Sequence, residues 1–256
     1  MDVLGNTEIG SKIEIHVGAT QMEIKGFVSI SFSDWDGKVS SVIFLPSCNL
    51  RCPFCYNKSL VLCPEKMSTF PQEKVENYLE MNRKWIDGVV ITGGEPSLHA
   101  DLPLLCERIE NIGFKVKVDT NGTNPAMIRK LIEKQCVDSV ALDLKAPLTN
   151  VKYSEACGVD TGPFLEKIKE TIGILLGDVV EYEFRTTVVP TIHQKEDIEK
   201  ISLAIKSCRK YALQNFKSNV ETIDPKYQNL KPFSQAQMVS FLQIANQFIS
   251  NTILRG

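Results

Sequence analysis

Short, continuous apolar runs recur along this chain, separated by stretches of helical periodicity. The first clear run, Ser41-Val42-Ile43-Phe44-Leu45, is β-rich and unbroken, which predicts a buried strand. Further strands are predicted over residues 87–92, 115–119, 139–145, 179–189 and 211–216. Helices are predicted between them, over residues 70–85, 101–112, 125–135, 164–176 and 195–208. Thr69 is a cap for the first of these, and Gly113 stops the second. A last amphipathic helix covers 235–249, and 60–69 reads as irregular. Strands separated by whole helices run parallel with right-handed crossovers. About six such alternations predict an α/β fold, a partial (βα)6 barrel of the TIM type, left partly open. Upstream, Ile13 to Val17 alternates apolar and polar like a half-buried strand, with His16 on its surface. Another strand is read over 25–30, and Asp36-Gly37 marks a turn. The expected organisation is a short N-terminal β extension, 1–25, and one core domain, 26–256, that ends in a helix.

Composition narrows the function. The chain has 256 residues, 43% of them hydrophobic, enough for one large core. A formal net charge of -2 gives no polycationic surface for nucleic acid. No apolar run approaches the roughly 20 residues of a membrane span. The eight cysteines are even in number, yet three are clustered and no basic-then-apolar leader opens the chain. They read as reduced thiols in the cytoplasm. Cys63, Cys106, Cys136, Cys157 and Cys208 are scattered and repeat no motif.

The candidate chemistry starts at Cys48, Cys52 and Cys55, in C-N-L-R-C-P-F-C-Y-N. Thiolates this close can meet one metal centre. Structural zinc needs a fourth ligand, whereas a cubic iron–sulfur cluster on three cysteines keeps one iron open. Core cysteines and half of a zinc ribbon are the alternatives. Distinctive residues also stand where successive predicted strands end: Gly93, Gly94 and Glu95, then Asp119, then Asp143 and Lys145, then His193. In a parallel barrel these positions surround one site. The glycines let backbone pass close to a ligand, and Glu95 can accept from an ammonium group. Lys145 sits in an otherwise apolar strand, which is costly unless it meets an anion. Asp143 is its natural ion-pair partner, and Arg185 is a further anion partner. Singly, Gly-Gly-Glu-Pro reads equally as a turn, Asp119 as a turn cap and His193 as a loop residue.

Together these motifs resemble the radical S-adenosylmethionine (SAM) superfamily, whose signature is this cysteine triplet after the first barrel strand. The resemblance implies a [4Fe-4S] cluster on Cys48, Cys52 and Cys55 whose open iron chelates SAM. It places Phe54 on the adenine, Tyr56 beside the cluster, and Gly93, Gly94 and Glu95 at the methionine amino group. The segments D-T-N-G and D-L-K resemble the activating enzymes of glycyl radical enzymes, where they bind SAM's methionine end and ribose. That implies SAM contacts from Asp119, Asp143, Lys145 and the His193 loop, and a monovalent cation held by the two aspartates beside the carboxylate. Phrases such as I-K-G-F and T-T-V-V-P resemble the activating protein of anaerobic ribonucleoside-triphosphate reductase. Asp36, Ser47 and Tyr56 depart from it, where Pro, Gly and His are usual. The implied partners are that reductase and a flavodoxin- or ferredoxin-type electron donor. The rivals are an activase of another glycyl radical enzyme, a small-molecule radical SAM enzyme of the 7-carboxy-7-deazaguanine synthase kind and a non-catalytic zinc module.

Overall fold

The computed structural model describes residues 22–256. The strand read at 13–17, with His16, lies outside them. The buried runs form an eight-stranded sheet in sequential order, β1 to β8. β1 (Gly26–Ser31) pairs antiparallel with β2 (Ser40–Leu45). From β2 onward every pairing is parallel: β3 (Gly88–Gly93), β4 (Lys115–Thr120), β5 (Ser139–Asp143), β6 (Glu181–Val188), β7 (Tyr211–Asn215) and β8 (Thr252–Arg255). The apolar runs lack alternation because β2 to β5 are covered on both faces; Val89, Val90 and Ile91 are all fully buried.

Helices supply the outer layer: α1 (Lys58–Leu62), α2 (Gln72–Met81), α3 (Leu102–Ile112), α4 (Pro125–Glu133), α5 (Asn150–Cys157), α6 (Gly162–Leu176), α7 (Lys195–Ala204) and α8 (Gln235–Ala245). Ile43, Leu45, Val89 and Ile91 join the main core with the helices. Val42 and Val90 point the other way and pack with Trp35 from the β1–β2 turn. The sheet is not closed: among the described residues β1 and β8 are its two edges. Yet Asp36, in that same turn, pairs with Arg255 of β8 and with Lys210, so the first turn meets the last strand.

Several boundaries differ from expectation. Pro71 takes the N-cap position of α2, and Thr69 instead accepts from Lys25 Nζ at 3.0 Å. Part of the stretch read as irregular, 60–69, is the end of α1. α5 and β8 are additions, so a strand rather than a helix ends the described fold. Met22 and Ile24 are buried in the core, and Ile24 bridges to Phe70.

Candidate active site

The C-terminal ends of the parallel strands gather the distinctive residues. One cavity is lined by Cys48, Cys52, Phe54, Cys55 and Tyr56 after β2, by Gly93, Gly94 and Glu95 at β3, by Asp119 and Asn121 at β4, and by Asp143 and Lys145 at β5. His193 is not among its lining residues.

The cysteine loop is fixed at its entry. Ser47 holds φ 66°, in the left-handed region that glycine enters without strain. The glycine usual here in the resembling proteins thus has a steric reason. Ser47 N–H donates to Leu60 O at 2.8 Å, and its carbonyl accepts from Glu95 N–H at 2.7 Å. That contact explains the two glycines. A Cβ on Gly94 would lie 1.8 Å from Ser47 O, and one on Gly93, at φ 116°, would lie 2.5 Å from Leu45 O. They let the end of β3 press against the cysteine loop itself. Further on, Arg51 N–H donates to Cys157 O at 2.9 Å, anchoring the loop to α5.

All eight cysteines are free thiols. Burial pushes Cys48 up to about 12 and raises Cys55; Cys52 is raised well above the usual thiol range by a hydrogen bond with Cys157 and by burial. Each would release a proton on binding a metal. Cys48 Sγ accepts from Leu50 N–H at 3.4 Å and from Asn121 Nδ2 at 3.8 Å. Among the described residues no three His, Cys, Asp or Glu side chains converge to hold a single ion. A cubane bonds each thiolate to a different iron and does not require such convergence.

Glu95 is 1% exposed and already engaged. Its Oε1 accepts from Ser97 N–H at 3.0 Å and Thr120 Oγ1 at 2.7 Å, and Oε2 from Asn121 N–H at 2.6 Å. Burial raises its pKa despite these donors. Glu95 therefore clamps the β3 and β4 loops together, with one acceptor site left on Oε2. Tyr56 ties the loop to the end of β7: its hydroxyl accepts from Lys217 N–H at 2.6 Å and donates to Lys217 O at 3.3 Å. Phe54 is buried and packs near Tyr227, ring centroids 6.4 Å apart.

Beside the thiols runs a row of charges. Lys145 Nζ lies 3.0 Å from Asp143 Oδ2. Arg185 Nε donates to Asp143 Oδ1 at 2.7 Å, and its Nη1 to Asp119 Oδ2 at 3.1 Å. Lys117 Nζ stands 3.6 Å from Asp119 Oδ1 and 3.3 Å from Glu183 Oε1. Burial alone would raise the Asp143 pKa, but Arg185 and Lys145 pull it down to about 2. Burial alone would lower that of Lys145, but Asp143 and the Cys52 sulfur hold it above the usual lysine range. The Arg185 guanidinium bonds both of the aspartates at which the resemblance implies a monovalent cation.

His193 supports this row from behind. Its Nδ1 accepts from Val189 N–H at 2.9 Å and its Nε2 lies 2.9 Å from Lys145 O, so the ring's contacts are with backbone. Sequence reasoning missed Asn49, Tyr153 and Cys157 as parts of the site. Asn49 bonds Asn121 and Thr123; Tyr153 accepts from Lys145 N–H at 3.2 Å. Tyr153 and Cys157 lie on α5, whose pattern gave no warning of a helix.

An open, mostly parallel α/β sheet carries three thiols and an ion-paired lysine at the C-terminal ends of its strands. The profile of the radical SAM superfamily matches residues 42–206, and the chain belongs to that superfamily. It is 34% identical over 233 residues to a Methanocaldococcus jannaschii protein provisionally named a glycyl-radical enzyme activating enzyme, covering 91% of this chain and 95% of that one. A 7-carboxy-7-deazaguanine synthase of Aquifex aeolicus is 37% identical over 89 residues, 34% of this chain and 38% of its own. In fold the chain is similar to Streptococcus suis SuiB bound to S-adenosylmethionine, at a TM-score of 0.62 and 18% identity, over 84% of this chain and 52% of that one. The chain thus spans about half the length of that structure.

Proposed function

We propose that this enzyme cleaves SAM reductively and passes the radical to a glycine of a partner enzyme. Cys48, Cys52 and Cys55 would hold a [4Fe-4S] cluster. When bound and reduced by an external one-electron donor, the cluster would supply the electron for reductive cleavage of SAM. Lys145, fixed by Asp143, attracts the methionine carboxylate. The backbone at Gly93 and Gly94, with the remaining acceptor of Glu95, faces the ammonium group. Phe54 offers an apolar surface to the adenine, and Asn121 donates toward the Cys48 sulfur. His193 keeps the Lys145 backbone in place. The observation that carries this reading is that the three thiols and the Asp143–Lys145 pair line one cavity at the ends of successive parallel strands.

The fit of donor chemistry supports it: three soft thiolate ligands on one loop, without a fourth Cys or His among the cavity's lining residues, suit a cluster with an open iron. The relative named as an activating enzyme supports the macromolecular substrate, because the similarity runs almost end to end. The anaerobic ribonucleoside-triphosphate reductase is the partner proposed, with a flavodoxin- or ferredoxin-type donor in a reducing cytoplasm. The similarity to 7-carboxy-7-deazaguanine synthase favours a second reading, a small-molecule substrate, but covers only about a third of the chain. Mixing reduced protein, SAM and the reductase without oxygen tests the first reading. A glycyl-radical resonance signal supports the activase of this reductase; its absence, with SAM still cleaved, rules out this reductase and leaves another glycyl radical enzyme or a small molecule as the substrate.

A further inference from the structure

Asp119 and Asp143 come from neighbouring strands and present four carboxylate oxygens beside the thiol cavity. Each of the four faces a cation that belongs to the protein. Asp143 Oδ2 faces Lys145 Nζ, and Asp143 Oδ1 accepts from Arg185 Nε. Asp119 Oδ2 accepts from Arg185 Nη1. Asp119 Oδ1 makes no hydrogen bond, and Lys117 Nζ stands 3.6 Å away. Arg185 is 8% exposed, on the strand that pairs with β5. Its planar fork spans two carboxylates from two strands, a task for which an ammonium is too compact.

An alkali ion needs several oxygen lone pairs directed at one point. Here three of the four aspartate oxygens bond nitrogen cations, and the fourth, Asp119 Oδ1, faces the Lys117 ammonium at 3.6 Å. A metal ion between the two aspartates would also sit against the guanidinium, in a partly buried place where like charges are less screened than in water. The strong downward shift of Asp143 agrees with a carboxylate already neutralised. We propose that Arg185 is a built-in counter-ion, so that this enzyme binds SAM without the monovalent metal ion expected beside the two aspartates. Arg185 is then a positioning residue: it holds Asp143, which holds Lys145 against the methionine carboxylate. The inference rests on the proposed SAM site, and the test separates the two.

The test is a cation series on the whole protein carrying its cluster, kept without oxygen. SAM binding is measured by equilibrium dialysis in buffers of sodium, potassium or tetramethylammonium, the last too large for the pair. Sodium-23 line width is followed in parallel on the protein without SAM. The expected result is a SAM affinity constant within about threefold across the series, and no protein-dependent sodium broadening. An affinity lower by more than about threefold in tetramethylammonium, restored by sodium or potassium, overturns the proposal, as does site-specific sodium broadening that SAM alters. Arg185→Ala should lose about tenfold or more in SAM affinity and regain it with potassium, sodium or guanidinium ion. A folded Arg185→Ala protein that responds to none of them overturns the counter-ion role. If that variant does not fold, the wild-type series decides alone. Failure of wild type to bind SAM in any buffer sinks the proposed function instead, while the sodium measurement still reports on Arg185.

Discussion

His193 Nε2 stands 2.9 Å from the backbone oxygen of Lys145, the residue whose ammonium reaches into the thiol cavity. Val189 N–H donates to Nδ1, so the proton of the neutral ring is on Nε2 and is donated to Lys145 O. Through this bond the end of β6 sets the height of the lysine at the end of β5.

Removing that ring strands two buried backbone groups. His193→Ala should cost about 2 kcal/mol of unfolding free energy. The pH dependence has a definite sign. Burial lowers the folded pKa of His193 below its unfolded value, about 6.5. Its stabilising contribution is therefore complete above that value and is lost as pH falls through the folded pKa. Urea midpoints at pH 8 and pH 5 should differ more for wild type than for His193→Ala. Equal differences would deny the neutral, clamped ring.

Glu95 makes a different prediction. Its two oxygens take three donors, from Ser97, Thr120 and Asn121. Glu95→Gln turns one oxygen into a donor that faces another donor. Stability should drop by about 2 kcal/mol, and SAM affinity should fall as well, because the β3 and β4 loops lose their clamp. A variant as stable as wild type would mean that Glu95 is held mainly for the ligand.

Gly94 is where β3 touches the cysteine loop. Gly94→Ala would place a methyl group 1.8 Å from Ser47 O, against backbone that cannot rotate away. The expected loss is at least about 3 kcal/mol, with iron content after anaerobic reconstitution falling in parallel. Full iron loading with unchanged unfolding would show that the loop has another way to close.

Most of the sheet was legible from sequence, because strands covered on both faces must be apolar throughout. Val89-Val90-Ile91 could hardly have been anything else. α5 was not legible: Tyr153, Ala156 and Cys157 are its buried side chains, too few for a period to show. β8 was hidden for the same reason, a short strand after a helix that read as the end of the fold. The site divided similarly. The thiols and the strand-end residues announced themselves by spacing and by position after apolar runs. Arg185 was visible as a cation seeking an anion, but its partners lie 42 and 66 positions away in the chain, and only the curl of the sheet selects them. Glu95 read as an open acceptor because the three donors that occupy it come from the last residue of β4, the residue after it and the short helical turn at Ser97, whose directions no pattern encodes.

Three thiols holding a cluster whose open iron meets SAM would make the protein a SAM-cleaving enzyme. The most direct measurement is the yield of 5′-deoxyadenosine and methionine from anaerobically reconstituted, reduced protein, read beside iron and sulfide content, for wild type and Cys52→Ala. Wild type should carry about four irons and four sulfides and cleave SAM, and Cys52→Ala should do neither. Zinc without sulfide in the wild-type protein, or 5′-deoxyadenosine still formed by Cys52→Ala, would show that these thiols do not hold a SAM-cleaving cluster.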